Sequence, residues 1–133
     1  MNVKKINEDS VQSTGVLQLD IPEEEVSFAK ELLRKTLLNY DKHNELIKSK
    51  LQNWDLDRVA EMDILIIKMA LNEAETFVSI PLLVTLDEYI ELSKFYSTEK
   101  SSTFVNGILD TLLNHLSENN IIKKAKIINN NEK

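Results

Sequence analysis

Two glycines and two prolines in 133 residues leave almost no material for tight turns, and this scarcity constrains the chain more than any other feature. Hairpins and bulges depend on glycine, asparagine and proline at defined positions. A chain nearly without glycine and proline reads as a few long helices. Hydrophobic residues at 42% and charged residues at 29% match globular averages, so a packed core is expected and wholesale disorder is excluded. The length suits one domain.

The chain has no cysteine, which removes disulfides, thiolate metal sites, redox pairs and cysteine nucleophiles together. No apolar run approaches the ~18–20 residues of a membrane span. The opening MNVKKINEDS has no apolar stretch after its lysines, unlike a secretory signal. A soluble, cytoplasmic protein without a membrane partner is expected.

Sixteen basic and 22 acidic residues give a net charge of −6. The deficit lies in the body: Asp20–Asn120 holds ten basic against nineteen acidic residues, whereas the last thirteen hold four against one. Affinity for phosphate comes mostly from lysine and arginine, so an acidic body is a poor general nucleic-acid binder. It suits a basic protein partner, or simply solubility.

Along the chain, Met1–Leu19 is polar and aperiodic and reads as a flexible tail, with a short extended piece at Val16–Leu19 as an option. A helical domain over 20–120 follows, then a basic, fraying tail over 121–133. The first helix starts at Pro22 with Glu23, Glu24 and Glu25 in its first turn. Its predicted core stripe is Val26, Ala29, Leu33, Leu37 and Tyr40. A short second helix is capped by Asp41 and buries Leu46, Ile47 and Leu51. Asn53-Trp54 marks a break, with Trp54 sealing the core edge, and Asp55 caps a third helix over Leu56–Glu75. That helix is apolar around most of its circumference, as a central helix is. Pro81 opens a fourth, facing inward through Leu83, Val84, Leu86, Ile90 and Phe95. Ser97 or Thr98 caps the fifth, whose stripe is Phe104, Val105, Ile108, Leu109, Leu112, Leu113 and Leu116, ending at Glu118-Asn-Asn. No strand signal competes. The fold class is all-α, a bundle of about five helices.

Catalysis has little to stand on. His43 and His115 fall on different helices and read as surface or boundary residues. Asp57 and Glu61, four apart, share a helix face on this reading and with Asp55 and Asp63 form the densest carboxylate group. A hard cation would need ligands converging from a loop, and neither a glycine-rich phosphate loop nor a nucleophile elbow is present. No enzyme activity, metal or cofactor is expected.

Gly107 is anomalous, because glycine inside a helix costs ~1 kcal/mol relative to alanine. Either two helices approach closely there, or the surface must admit another backbone or a ligand. Just before it, Lys100, Ser101, Ser102, Thr103, Phe104 and Asn106 load the first turns with a cation, hydroxyls, a ring and an amide. Such a helix start can take phosphate and stack a base, although Phe104 reads as core from the pattern alone. Ile121–Ile128 is weakly amphipathic and basic, and a solvated tail is the simpler reading.

The run Asn53-Trp54-Asp55-Leu56-Asp57-Arg58-Val59-Ala60, followed by Asp63–Leu71 and Glu73, resembles the signature helix of the NusB family of bacterial transcription antitermination factors. Downstream, Ile80-Pro81, Asp87-Glu88, Ile90–Phe95, Ser101 and Phe104–Asp110 follow that family in order and spacing, so the resemblance spans about Ile21–Leu116. It implies an all-α fold and a place in the antitermination complex of RNA polymerase on ribosomal RNA operons. There the family pairs with NusE, a small-subunit ribosomal protein, and the pair binds boxA RNA. The carboxylates of the signature helix would face the basic NusE, which assigns Asp57, Glu61 and Asp63 to the protein contact. The start of the last helix would face RNA, which assigns Lys100, Ser101, Thr103 and Phe104.

The resemblance has departures. An Arg-rich opening helix typical of the family has no counterpart here, where the arginines are Arg34 and Arg58, and Lys100 stands where an acidic residue is common. The chain reads as a C-terminal portion of a longer protein or as a divergent member. Weak RNA affinity for this chain alone and a homodimer through an uncovered apolar face are expected. Two other readings stay open: the NusB-like RNA-binding appendage of an RNA methyltransferase, and an interaction module that has lost RNA binding.

Overall fold

A computed structural model describes residues 21–51, 56–96 and 98–127, without the side chain of Asp57. The expectations for Met1–Leu19, Trp54, the Asp55 and Ser97 caps and residues 128–133 lie outside the described residues. The chain divides into two compact units, Met1–Lys30 and Glu31–Lys133. In the first, Pro22 opens helix α1 (Glu23–Leu38), its carbonyl accepting from Glu25 N at 2.9 Å and Val26 N at 3.2 Å.

The second unit holds the rest of α1, then α2 (Asn44–Lys50), a 3-10 turn (Leu56–Arg58), α3 (Glu61–Thr76), α4 (Leu82–Tyr96) and α5 (Glu99–Glu118). Helix α3 is central, as its all-round apolarity predicts: Ile64, Ile66, Ile67, Ala70, Leu71 and Ala74 are buried along it. It packs against α4 and α5, those two pack on each other, and α2 closes on α5. Helix α5 contributes Val105, Ile108, Leu109, Leu112, Leu113 and Leu116 to the core, in the register the sequence predicts. Thr98 caps it, its hydroxyl accepting from Ser101 N at 3.2 Å.

Two helices bury a different face from the one expected. On α1, Leu33 and Leu37 are 56% and 65% exposed, while Leu32 and Thr36 are buried. Leucines flank both registers, and the buried one is completed by Thr36, whose hydroxyl satisfies itself on Leu32 O at 2.8 Å. On α4, Leu83, Val84 and Phe95 are exposed, while Leu82, Thr85, Leu86, Tyr89 and Ser93 face inward. Ser93 donates to Ile90 O at 2.7 Å, and its hydroxyl meets that of Ser102 at 3.3 Å. Tyr89 donates to Glu73 at 3.4 Å. Burial, with the Glu73 charge added, pushes the Tyr89 phenol well above its ordinary value.

Three further expectations are corrected. The long third helix is broken: after the 3-10 turn, Ala60 adopts an extended conformation at φ −56°, ψ 137° and α3 begins at Glu61. Asp57 and Glu61 therefore do not lie on one helix. Helix α2 is preceded by His43 rather than by an Asp41 cap, and Asp41 Oδ1 instead meets Asn44 Nδ2 at 3.5 Å. His43 is not a surface residue but is buried against Glu75. Of the residues expected to be buried on α2, Ile47 is fully so and Leu46 and Leu51 are half-buried.

The turn after α1 is tied to α3 by polar contacts. Asn39 donates to Asn72 at 3.2 Å, Lys42 pairs with Glu75 at 2.8 Å, and the Lys68 ammonium sits 3.6 Å from the Tyr40 ring centroid. Burial depresses the Lys68 pKa, with the Asp41 charge opposing.

Helix α5 ends as predicted at Glu118-Asn119-Asn120, where Asn120 takes φ 56° and Leu116 O accepts from Ile121 and Ile122. Residues 121–127 do not project as a solvated tail. Ile122 and Ile127 are buried, Ser117 donates to Lys124 O, and Ile127 N donates to Asn114 at 2.8 Å.

Candidate functional site

The break between the 3-10 turn and α3 brings the start of α3 beside the start of α5. Between them lies a cleft of about 270 Å³. Arg58, Val59, Ala60 and Asp63 form one wall, and Thr98, Lys100, Ser101 and Phe104 form the other. An extended residue at Ala60 lets the turn fold back, and the Thr98 cap fixes where α5 begins.

Three of the four residues predicted for nucleic acid, Lys100, Ser101 and Phe104, share this cleft. Lys100 is exposed, and Ser101 and Phe104 are half-buried. Phe104 is thus part core and part wall. Thr103 is elsewhere: it donates to Glu99 O at 3.1 Å and lines a separate hollow between α4 and α5 with Ile90, Lys94 and Asn106.

The three carboxylates predicted for a protein contact are also divided. Glu61 is exposed in the first turn of α3. Asp63 is 3% exposed and lines the cleft, so any partner group reaching it has to enter the cleft. Asp57 lies in the 3-10 turn beside Arg58.

Arg58 was not singled out from the sequence, although as one of two arginines in an acidic chain it carries a readable signal. With Lys100 it places two cations at a cleft whose ring and hydroxyl supply stacking and hydrogen bonding, a combination that suits a nucleotide segment. Phe95 and Tyr96, 83% and 63% exposed at the end of α4, were also missed as surface aromatics. Among the described residues, no three histidine, aspartate or glutamate side chains converge as metal ligands. No helix among them is long and apolar enough to cross a membrane.

Comparison with known proteins agrees with the motifs. The profile of the NusB family matches residues 2–114, reaching further toward the N-terminus than the motifs, which begin at Ile21. Transcription antitermination protein NusB of Salinibacter ruber is 38% identical over 98 residues, covering 74% of this chain but only 61% of that protein. Its namesake in Natranaerobius thermophilus is 30% identical over 118 residues, covering 84% of this chain and 85% of that protein. A solved structure of T. maritima NusB superposes with a TM-score of 0.65 at 35% identity, over 71% of this chain and 68% of that one. By profile, sequence and fold, the chain belongs to the NusB family.

Proposed function

We propose that this protein is a transcription antitermination factor of the NusB type, working by binding rather than catalysis. It would pair with the ribosomal protein NusE, take up boxA-type RNA, and join the antitermination complex of RNA polymerase on ribosomal RNA operons. Relatives bearing the name transcription antitermination protein support this role.

The observation that carries the reading is the shared cleft. It joins the start of α3, which holds Glu61 and Asp63, to the start of α5, which holds Lys100, Ser101 and Phe104. An exposed acid in the first turn of α3 suits a basic protein surface. Lys100 and Arg58 suit the phosphates of a single strand, with Phe104 offering part of a ring to a base. A partner docked on the acidic side would lie next to the RNA, so the two would bind as a pair. The protein contact is assigned to Asp57, Glu61 and Asp63, and the RNA contact to Lys100, Ser101 and Phe104, with Thr103 set apart in the neighbouring hollow.

The test is calorimetric titration with NusE of the same organism at low and moderate salt, followed by boxA RNA. Glu61→Lys is expected to weaken the protein step, and Lys100→Glu the RNA step together with its salt dependence. No NusE binding at either salt overturns the proposal.

A further inference from the structure

Gly107 lies exposed in the middle of α5, and a Cβ built there meets nothing within 4 Å. Close packing of two helices, one of the two reasons for a glycine inside this helix, is therefore excluded among the described residues. The other reason is that something from outside comes near, and the surroundings of Gly107 show what kind of molecule fits.

Gly107 borders a hollow of about 370 Å³ between the outer faces of α4 and α5. Leu83 and Ile90 contribute its apolar surface, and Leu83 is 52% exposed. Asp87 on α4 and Asp110 on α5 stand on opposite walls, with the Asn106 amide beside them, and none of the lining residues is basic. The hollow continues toward the start of α5, because Ile90 and Asn106 also line the neighbouring hollow with Lys94 and Thr103. Along α5 the groove residues Thr103, Asn106, Gly107 and Asp110 follow helical spacing on a face different from that of Ser101 and Phe104.

We infer that the α4–α5 groove is a second docking surface, occupied by a basic segment of the protein partner whose main chain crosses α5 at Gly107. Charge complementarity selects this occupant. The Asp87 carboxylate, exposed on α4, repels the phosphates of a nucleic acid and attracts lysine or arginine, while the leucine and isoleucine take apolar side chains of the same segment. A residue without Cβ at the crossing lets the incoming backbone approach the helix directly. This explains the exposed Leu83 and the helical glycine with one occupant. The inference rests on the proposed function, from which NusE is taken as the basic partner.

The experiment titrates NusE into the wild-type chain and into Gly107→Arg, Asp87→Lys and Glu61→Lys, with thermal melts of each and boxA RNA added afterwards. Gly107→Arg and Asp87→Lys are both surface changes. Each is expected to weaken NusE binding at least about tenfold, since each sets a cation against the basic segment, with melting not lowered. If both bind NusE like the wild type while Glu61→Lys binds weakly, the groove inference is overturned and the proposed function stands. If they lose RNA affinity but keep NusE affinity, the groove is a nucleic-acid surface and the inference is likewise overturned. If the wild type does not bind NusE, the proposed function falls and the groove assignment falls with it.

Discussion

The Nε2 of His43 lies 2.6 Å from Glu75 Oε1, with the ring only 3% exposed. An ionised carboxylate can only accept, so Nε2 carries the proton in this contact. The other Glu75 oxygen takes Lys42 at 2.8 Å, so one carboxylate on α3 fastens two residues of the turn that joins α1 to α2.

This arrangement predicts an acid-sensitive fold. Burial pushes the Glu75 carboxyl up, but the hydrogen bonds from His43 and Lys42, with their charges, outweigh it and leave its pKa below the ordinary 4.5. A carboxyl whose pKa falls on folding stabilises fully above its unfolded value, and that contribution is lost as pH falls through the folded value. Glu75→Gln should therefore be less stable than the wild type near neutral pH. The gap should close as pH drops below 4.5 toward and past the lowered folded value. Urea unfolding of both proteins at about pH 7 and about pH 3 measures this. A gap that is the same at both would show that the linkage is absent.

Thr98 holds the first turn of α5, and its hydroxyl accepts from Ser101 N. Losing such a cap costs about 0.5–2 kcal/mol, so Thr98→Ala should destabilise within that range. Thr98→Ser should retain most of the stability, because the oxygen is kept. Denaturant midpoints distinguish the two. Equal losses in both variants would point to the methyl group rather than the cap.

Gly107→Ala should do the reverse. The added methyl enters open space and α5 has no left-handed residue at this position. Replacing a helical glycine under those conditions raises stability by about 0.5–1 kcal/mol. A thermal melt of the variant suffices. A lowered midpoint would mean that the glycine serves the fold itself.

What could be read from the sequence follows from where polar residues are buried. Helix α5 was legible in register and in its two ends, because its inward positions are all aliphatic and its cap is a threonine whose hydroxyl accepts from the Ser101 N–H. The central place of α3 was legible from its apolar circumference. On α1 and α4 the inward face includes Thr36, Thr85 and Ser93. Thr36 and Ser93 close their hydroxyls on backbone carbonyls of the preceding turn, a cheap form of burial that leaves no trace in hydrophobic periodicity. His43 was misplaced for a related reason, since its partner Glu75 is 32 residues away. At the site, the motifs singled out Asp63, Lys100, Ser101 and Phe104. Their meeting with Arg58 depended on the break at Ala60, where an apolar pattern from Leu56 onward hides an extended residue.

The register of α4 gives the most direct check on this account. Leu82 is 1% exposed and Leu83 is 52% exposed, although they are neighbours of identical chemistry. Truncating a fully buried leucine removes its packing and leaves a cavity, so Leu82→Ala should cost about 2–5 kcal/mol. A half-exposed leucine on the outer face has little packing to lose, and Leu83→Ala should change stability by no more than about 0.5 kcal/mol. Paired urea unfolding of the two variants reads the difference without any partner present. If Leu83→Ala lost as much as Leu82→Ala, the outward face of α4 would be core after all. The groove beside Gly107 would then have no exposed leucine to offer.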